Sequence, residues 1–208
     1  YVFTGYEPTA KRAISPLLIR RLVNLDLEKK PALRFSRDMF LLSFYLRGIP
    51  FVDLVHLRKT DVKHNTIYYY RHKTRQQLSV HIESYAAQII NRYKNEAASS
   101  PYLLLILSLT GEDGYRQYKS ALRLYNQHLH TLSKMLRLSI PLTSYVARHS
   151  WATTAKDEGV AISVISESLG HTSEKVTHVY LASFDNNAMS KANKKVIATI
   201  HPNKKKKP

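Results

Sequence analysis

Apolar positions along this chain follow two different periods, and the switches between them divide it into elements. Tyr118, Leu122, Tyr125, Leu129, Leu132 and Leu136 are spaced four, three, four, three and four residues apart, which lines one face of an α-helix. Arg123, His128 and Lys134 fall on the opposite face, as on a helix at the surface. Leu18, Leu22 and Leu25 share that period within 15–30, where Ser15 can cap and Pro16 suits the first turn. "SRDMFLLSFYLRG" (36–48) predicts a second helix, capped by Ser36 and stopped at Gly48, and Pro50 opens a short third one over "PFVDLVHL".

The period then shortens to that of a strand. "TIYYYRH" (66–72) and "QQLSVHI" (76–82) are rich in β-branched and aromatic residues, and "KTR" between them makes a hairpin. Helical spacing returns at 83–98, "SSP" (99–101) breaks it, and "TGEDG" (110–114) reads as a loop before the long helix. Two short helices follow at about 146–157 and 162–168, with Gly159 and Gly170 where helices end, and another starts near Ser173. The pattern predicts a mainly α domain with one small antiparallel sheet over 15–181. Residues 1–14 lack a period and read as a linker; 182–208 read as a tail, with a further helix over 182–200 and a basic end, "NKKKKP".

Composition adds a partner. Thirty-two Lys and Arg against fifteen Asp and Glu leave a formal charge of +17, which points to a polyanion, most often nucleic acid. A content of 44% hydrophobic residues suffices for a core. There is no cysteine, which excludes a disulfide scaffold and any thiolate zinc site. No apolar run approaches the ~20 residues that span a bilayer; the longest, "LLLIL" at 103–107, reads as a buried segment. The first residue is Tyr and no signal peptide is visible, so a longer protein acting in the cytoplasm is expected.

Candidate chemistry gathers in the second half. In "TSYVARHSWAT" (143–153), Arg148 and His149 stand at a helix start, where cations oppose the macrodipole unless an anion such as phosphate faces them. His171 closes "LGH", Tyr180 lies nine residues on, Lys73 sits in the hairpin and Arg47 ends an earlier helix. The set holds neither a pair of carboxylates nor a metal cage.

The ordered set "LRG…VDLVHLRKTDV…HKT…ARHSWAT…LGHTS…VTHVY" resembles the catalytic domain of tyrosine recombinases, the phage integrase family, from about Arg12 to Leu181. The resemblance implies a mainly helical fold with a small sheet, preceded in the whole enzyme by a core-binding domain. It implies double-stranded DNA as substrate, a homotetramer on that DNA in which the tail docks on a neighbouring subunit, and no metal, ATP or small-molecule cofactor. Tyr180 is then the nucleophile, Arg148 and Arg47 hold the scissile phosphate, Lys73 protonates the departing 5′ oxygen, and His171 positions the phosphate or assists proton transfer. His149 supports the site, and Asp53 occupies the acidic position that buttresses the arginines. Arg71 and Arg75 beside Lys73, and Arg58 and Lys59 in "HLRKTD", are expected on the DNA backbone.

Two positions depart from the family pattern. Tyr145 stands where a histidine usually precedes the second arginine; a phenol donates a hydrogen bond but is a poor base near neutral pH. The position three residues before Asp53 is Pro50 rather than arginine, so Arg47 is assigned as the first arginine and Arg58 is the alternative. Plainer readings stand beside these: Tyr145 and Tyr180 as packing aromatics, His171 as a helix-end residue, Asp53 as a surface carboxylate, Lys73 as a backbone contact. The stretch "SVISESLGHTSEKVTHVYL" also mimics a helix-turn-helix, so a non-catalytic DNA-binding regulator is one rival. A type IB topoisomerase and an inactive recombinase relative are others.

Overall fold

The structure, a computed structural model, describes residues 13–181, with the side chains of Val179 and Tyr180 outside the description. The readings made for 1–12 and for the tail at 182–208 therefore lie outside the described residues.

Helix α1 (Pro16–Val23) starts where Ser15 accepts a hydrogen bond from the Leu18 amide, and it buries Ile19 and Leu22. It is shorter than its periodicity predicts, because the chain turns at Asn24. Helix α2 (Pro31–Tyr45) is the centre of the core: Met39, Phe40, Leu41 and Leu42 are all buried, and such a run buries every face of a helix rather than one. It begins five residues before the predicted cap. Pro31 opens it, while Ser36 lies buried inside it and its hydroxyl pairs with His128 Nδ1 at 2.8 Å. His128 is therefore half-buried rather than on a solvent face.

After the short α3 (Phe51–Val55) and a 3₁₀ turn (Lys59–Asp61) come three strands, β1 (Val62–Lys63), β2 (Thr66–Tyr70) and β3 (Gln77–His81), in an antiparallel sheet of order β1-β2-β3. The register pairs Ile67 with Val80 and Tyr69 with Leu78. These four side chains face the core, while Tyr68, Tyr70 and Ser79 face outward, the alternation a half-covered sheet requires. The hairpin loop is wider than "KTR": the strands stop at Tyr70 and Gln77, and the Arg71 amide bonds the Gln76 carbonyl at 2.9 Å to close it. β1 escapes a periodicity reading because two residues carry no period.

Helix α4 (Ser84–Arg92) packs on α2, and the buried Asp38 of α2 accepts from both Arg92 and Tyr93 Oη. "TGEDG" is not a loop. Thr110 stands at the N-cap position of helix α5 (Gly111–Met135) without a side-chain capping bond, and Glu112 and Asp113 occupy the first turn, where carboxylates suit the positive end of the helix. Tyr125 of α5 stacks on Phe51 at 4.5 Å between centroids. Helix α6 (Val146–Asp157) then bridges two clusters. Val146 and Ala147 belong to the main core; Ala152 packs with Ile165, Leu169 and Leu181 in a smaller one. That smaller cluster carries α7 (Ile162–Leu169) and α8 (Glu174–Tyr180).

Candidate active site

The site forms where α2 ends against α6. Arg47 and Gly48 both take left-handed backbone, with φ of 57° and 70°, and the Gly48 amide returns to the Ser43 carbonyl at 2.8 Å. Only Gly fits the second position. A Cβ there would lie 2.7 Å from the Arg148 Cα, inside any permitted contact. The turn thus presses the α2 end onto α6 at Arg148. From it the Arg47 side chain reaches the β3 edge, donating to the Ser79 carbonyl at 3.4 Å.

Arg148 is only 2% exposed. Its Nη1 donates to the Gly48 carbonyl at 2.9 Å and its Nη2 to the Leu169 carbonyl at 2.5 Å. It therefore sits between the two hydrophobic clusters and touches both the α2 turn and the α7 end. The helix-start geometry read from the sequence is present, with Tyr145 at the N-cap.

Arg71 corrects an expectation. It is a buried residue, 6% exposed, rather than one displayed on the surface of the hairpin. Its Nε lies 2.9 Å from Asp53 Oδ2, at ion-pair distance though off-line for a hydrogen bond, and its Nη1 donates to the Leu169 carbonyl at 2.5 Å. Asp53 is likewise buried rather than on the surface, and its Oδ1 accepts from the His72 amide at 2.8 Å. Burial raises the Asp53 pKa above the usual carboxylate value; the His72 amide, Arg71 and Arg148 pull the other way. So Asp53 pairs directly with Arg71, while Arg148 stays within its electrostatic reach. Tyr69, beneath the hairpin, is pushed up to about 12, by burial first and then by Asp53, against Arg71, Arg148 and Arg47. One phenol thus feels all three guanidiniums.

His171 lies half-buried just past α7, and its Nδ1 pairs with Thr177 Oγ1 at 2.8 Å. Its pKa falls to about 4, through burial first and then through Arg148, Arg71 and Lys73. It is therefore neutral near pH 7. Thr177 is fully buried and stands one turn before Tyr180, the last residue of α8; residues three apart share a helix face. Thr177 escaped the sequence reading, although its spacing from Tyr180 was visible. Lys73 is exposed in the hairpin loop and within electrostatic reach of His171, and the Thr74 hydroxyl approaches the Gly170 carbonyl at 3.5 Å.

The remaining expected residues are more scattered. Tyr145 is 50% exposed, and His149 is half-buried one turn further along α6. Arg75 is exposed on the hairpin loop, with φ of 58°. Arg58 is exposed, and its backbone bridges to Tyr102, whereas Arg47 stands in the turn that packs on Arg148. Lys59 is exposed, and its ammonium donates to the Ala97 and Ala98 carbonyls, at 2.7 and 2.9 Å, which ties down the loop after α4.

The sequence pattern of the Phage integrase family matches residues 20–187. Tyrosine recombinase XerA of Thermococcus kodakarensis is 28% identical over 176 residues, covering 83% of this chain and 60% of that protein. The crystal structure of XerA recombinase aligns with a TM-score of 0.61 at 19% identity, over 92% of this chain and 66% of that one. XerH site-specific recombinase, in a post-cleavage complex with a palindromic difH substrate, gives 0.66 at 14% identity, over 88% of this chain and 52% of that one. A lambda integrase dimer bound to a core site gives 0.56 at 15% identity, over 82% and 59%. This chain therefore spans little more than half to two thirds of the length of these relatives, and the structural likeness establishes the fold.

Proposed function

We propose, from the premise that this chain belongs to the phage integrase family, that it is the catalytic part of a site-specific recombinase or integrase that cuts and rejoins double-stranded DNA. The observation that carries the reading is the meeting of Arg148, the Arg47–Gly48 turn, the hairpin bearing Lys73 and the His171 turn, which is tied through Thr177 to the helix ending in Tyr180. A plain helix-turn-helix has no use for a buried arginine cluster behind its turn.

The chemistry follows from charge. A phosphodiester repels nucleophiles, and guanidiniums neutralise it and stabilise the charge that grows in the transition state. Arg148 acts from a depth where its charge is little diluted by water, and Arg47 acts from the rim. The Tyr180 phenol gives up its proton to solvent as nearby cations favour its ionised form, its oxygen bonds to phosphorus, the bond to the 5′ oxygen breaks, and Lys73 supplies that oxygen with a proton. Neutral His171 orients the phosphate by hydrogen bonding. The product is a 3′-phosphotyrosine and a free 5′ hydroxyl. The ester energy stays in that link, so rejoining needs no ATP. Tyr145 donates to the phosphate in place of a histidine, and His149 supports Arg148 from the same helix. Arg75 and Arg58 contact the DNA backbone. Four copies act together on two DNA sites in the cytoplasm.

The test uses the full-length protein and a duplex that it selects from a random pool, nicked near its centre so that a cleaved fragment diffuses away. A covalent protein–DNA adduct is expected, and Tyr180→Phe should abolish it while leaving binding intact. Tight binding with no adduct from the unaltered protein contradicts the reading and supports a regulator. Relaxation of plasmid without a specific site supports a topoisomerase instead.

A further inference from the structure

We infer that Arg71 is a positioning residue for strand cleavage, one that holds Arg148 and the His171 turn in place through the Leu169 carbonyl and does not touch DNA. The inference rests on the reading proposed above and adds a residue to it.

The Leu169 carbonyl joins the two arginines. It accepts from Arg71 Nη1 and from Arg148 Nη2, both at 2.5 Å. A carbonyl oxygen has two lone pairs, so the two guanidiniums divide it. It also closes α7, at the negative end of that helix. Two cations at one acceptor repel each other, and the Asp53 carboxylate, 2.9 Å from Arg71 Nε, offsets this on the Arg71 side. Arg71 thereby links α3, the end of β2 and the end of α7. The stem of Arg71 matters too. Gly170 has φ of 64°, and a Cβ there would stand 3.0 Å from Arg71 Cγ and 3.0 Å from Leu78 Cδ1. The turn that delivers His171 is thus seated directly on Arg71. Lys73 follows two residues along the same loop. A planar guanidinium can face carboxylate and carbonyl at once, whereas an ammonium is a point charge and cannot hold the same span.

The test compares Arg71→Lys, Arg71→Met and the double variant Asp53→Asn/Arg71→Met with unaltered full-length protein on the nicked duplex. Three quantities are read: the single-turnover rate of adduct formation at saturating DNA, the DNA affinity with its salt dependence, and the urea midpoint. Arg71→Lys should slow cleavage on the order of 10²-fold, the size expected of a catalytic group displaced by about an ångström. Its affinity should stay within about 3-fold and its salt slope should not change. The double variant, which removes the Asp53 carboxylate together with its Arg71 partner and so leaves no buried carboxylate without its ion pair, should recover much of the urea midpoint that Arg71→Met loses, and none of the rate. Recovery of the rate together with the midpoint would mean that Arg71 serves folding alone. A normal rate at saturation with weakened affinity and a salt slope reduced by about one would make Arg71 a DNA contact. Either result overturns the inference while the proposed function stands, because the unaltered protein still cleaves. Absence of any Tyr180-dependent adduct from the unaltered protein overturns both.

Discussion

At Gly48 one missing carbon sets how closely Arg47 and Arg148 approach. The residue combines left-handed backbone with a gap too small for a methyl group, since the atom in the way is the Arg148 Cα rather than a flexible side-chain end. Gly48→Ala should therefore cost roughly 2–4 kcal/mol, adding backbone strain to a forced shift of α6. Chemical denaturation measures it; a loss below about 0.5 kcal/mol would mean that the turn and α6 are not in this contact. At this scale the sequence was informative about residue type and less so about depth. Arg148, His171 and Lys73 carry motifs that survive in a bare string of letters. Arg71 reads as one of several basic residues in "RHKTR", and only the fold reveals that it is buried against Asp53 while Arg75, four residues on, is exposed. Thr177 was missed for a similar reason: a threonine in "VTHVY" looks like a filler until His171 is found bonded to it.

Between α7 and α8 the His171–Thr177 bond makes the turn titratable. Because burial and three cations lower the His171 pKa from the usual 6.5 to about 4, the unfolded chain binds more protons than the native one between those values. Stability then rises with pH across that window and falls as the solution is acidified through it. Melting or urea titrations between pH 6.5 and 4 should show a declining midpoint, and His171→Phe, which cannot titrate, should flatten part of that slope. An unchanged slope in the variant would mean that His171 is not held neutral. Elements with strong periodicity were legible: the long helix, the hairpin and the short helices near the C-terminal end all lie close to where spacing put them. The misses have physical causes. Ser36 looked like a cap because capping residues recur inside helices, and here its hydroxyl found His128 of α5 instead. "TGEDG" looked like a loop because glycine is a poor helix former, yet its two acidic residues suit a helix start. The wide hairpin loop reflects the pull of Arg71 and His72 toward Asp53, which no local pattern records.

Over the whole molecule the charge of +17 is the property most directly tied to its partner. If about six phosphates are contacted, affinity should fall on the order of 10³-fold between 50 and 200 mM salt, with a log–log slope near −5. A slope near zero would argue against backbone binding altogether. The described residues contain no helix long and apolar enough to cross a membrane. The fold class, the family and the residue types of the candidate site were legible from the ordered motifs, because a family's chemistry constrains residue types at set places along the chain. The assembly of that site was not, because it depends on contacts such as Gly48 with Arg148, a hundred residues apart. The atom that becomes linked to DNA distinguishes this chemistry from its rivals. Digestion of the trapped adduct with nuclease and trypsin, followed by tandem mass spectrometry, reads this directly. The tryptic peptide over 176–191 contains one tyrosine, Tyr180. The account predicts that this peptide carries a nucleotide through a 3′-phosphate on Tyr180; the same mass on any other residue, or a 5′ linkage, would contradict it.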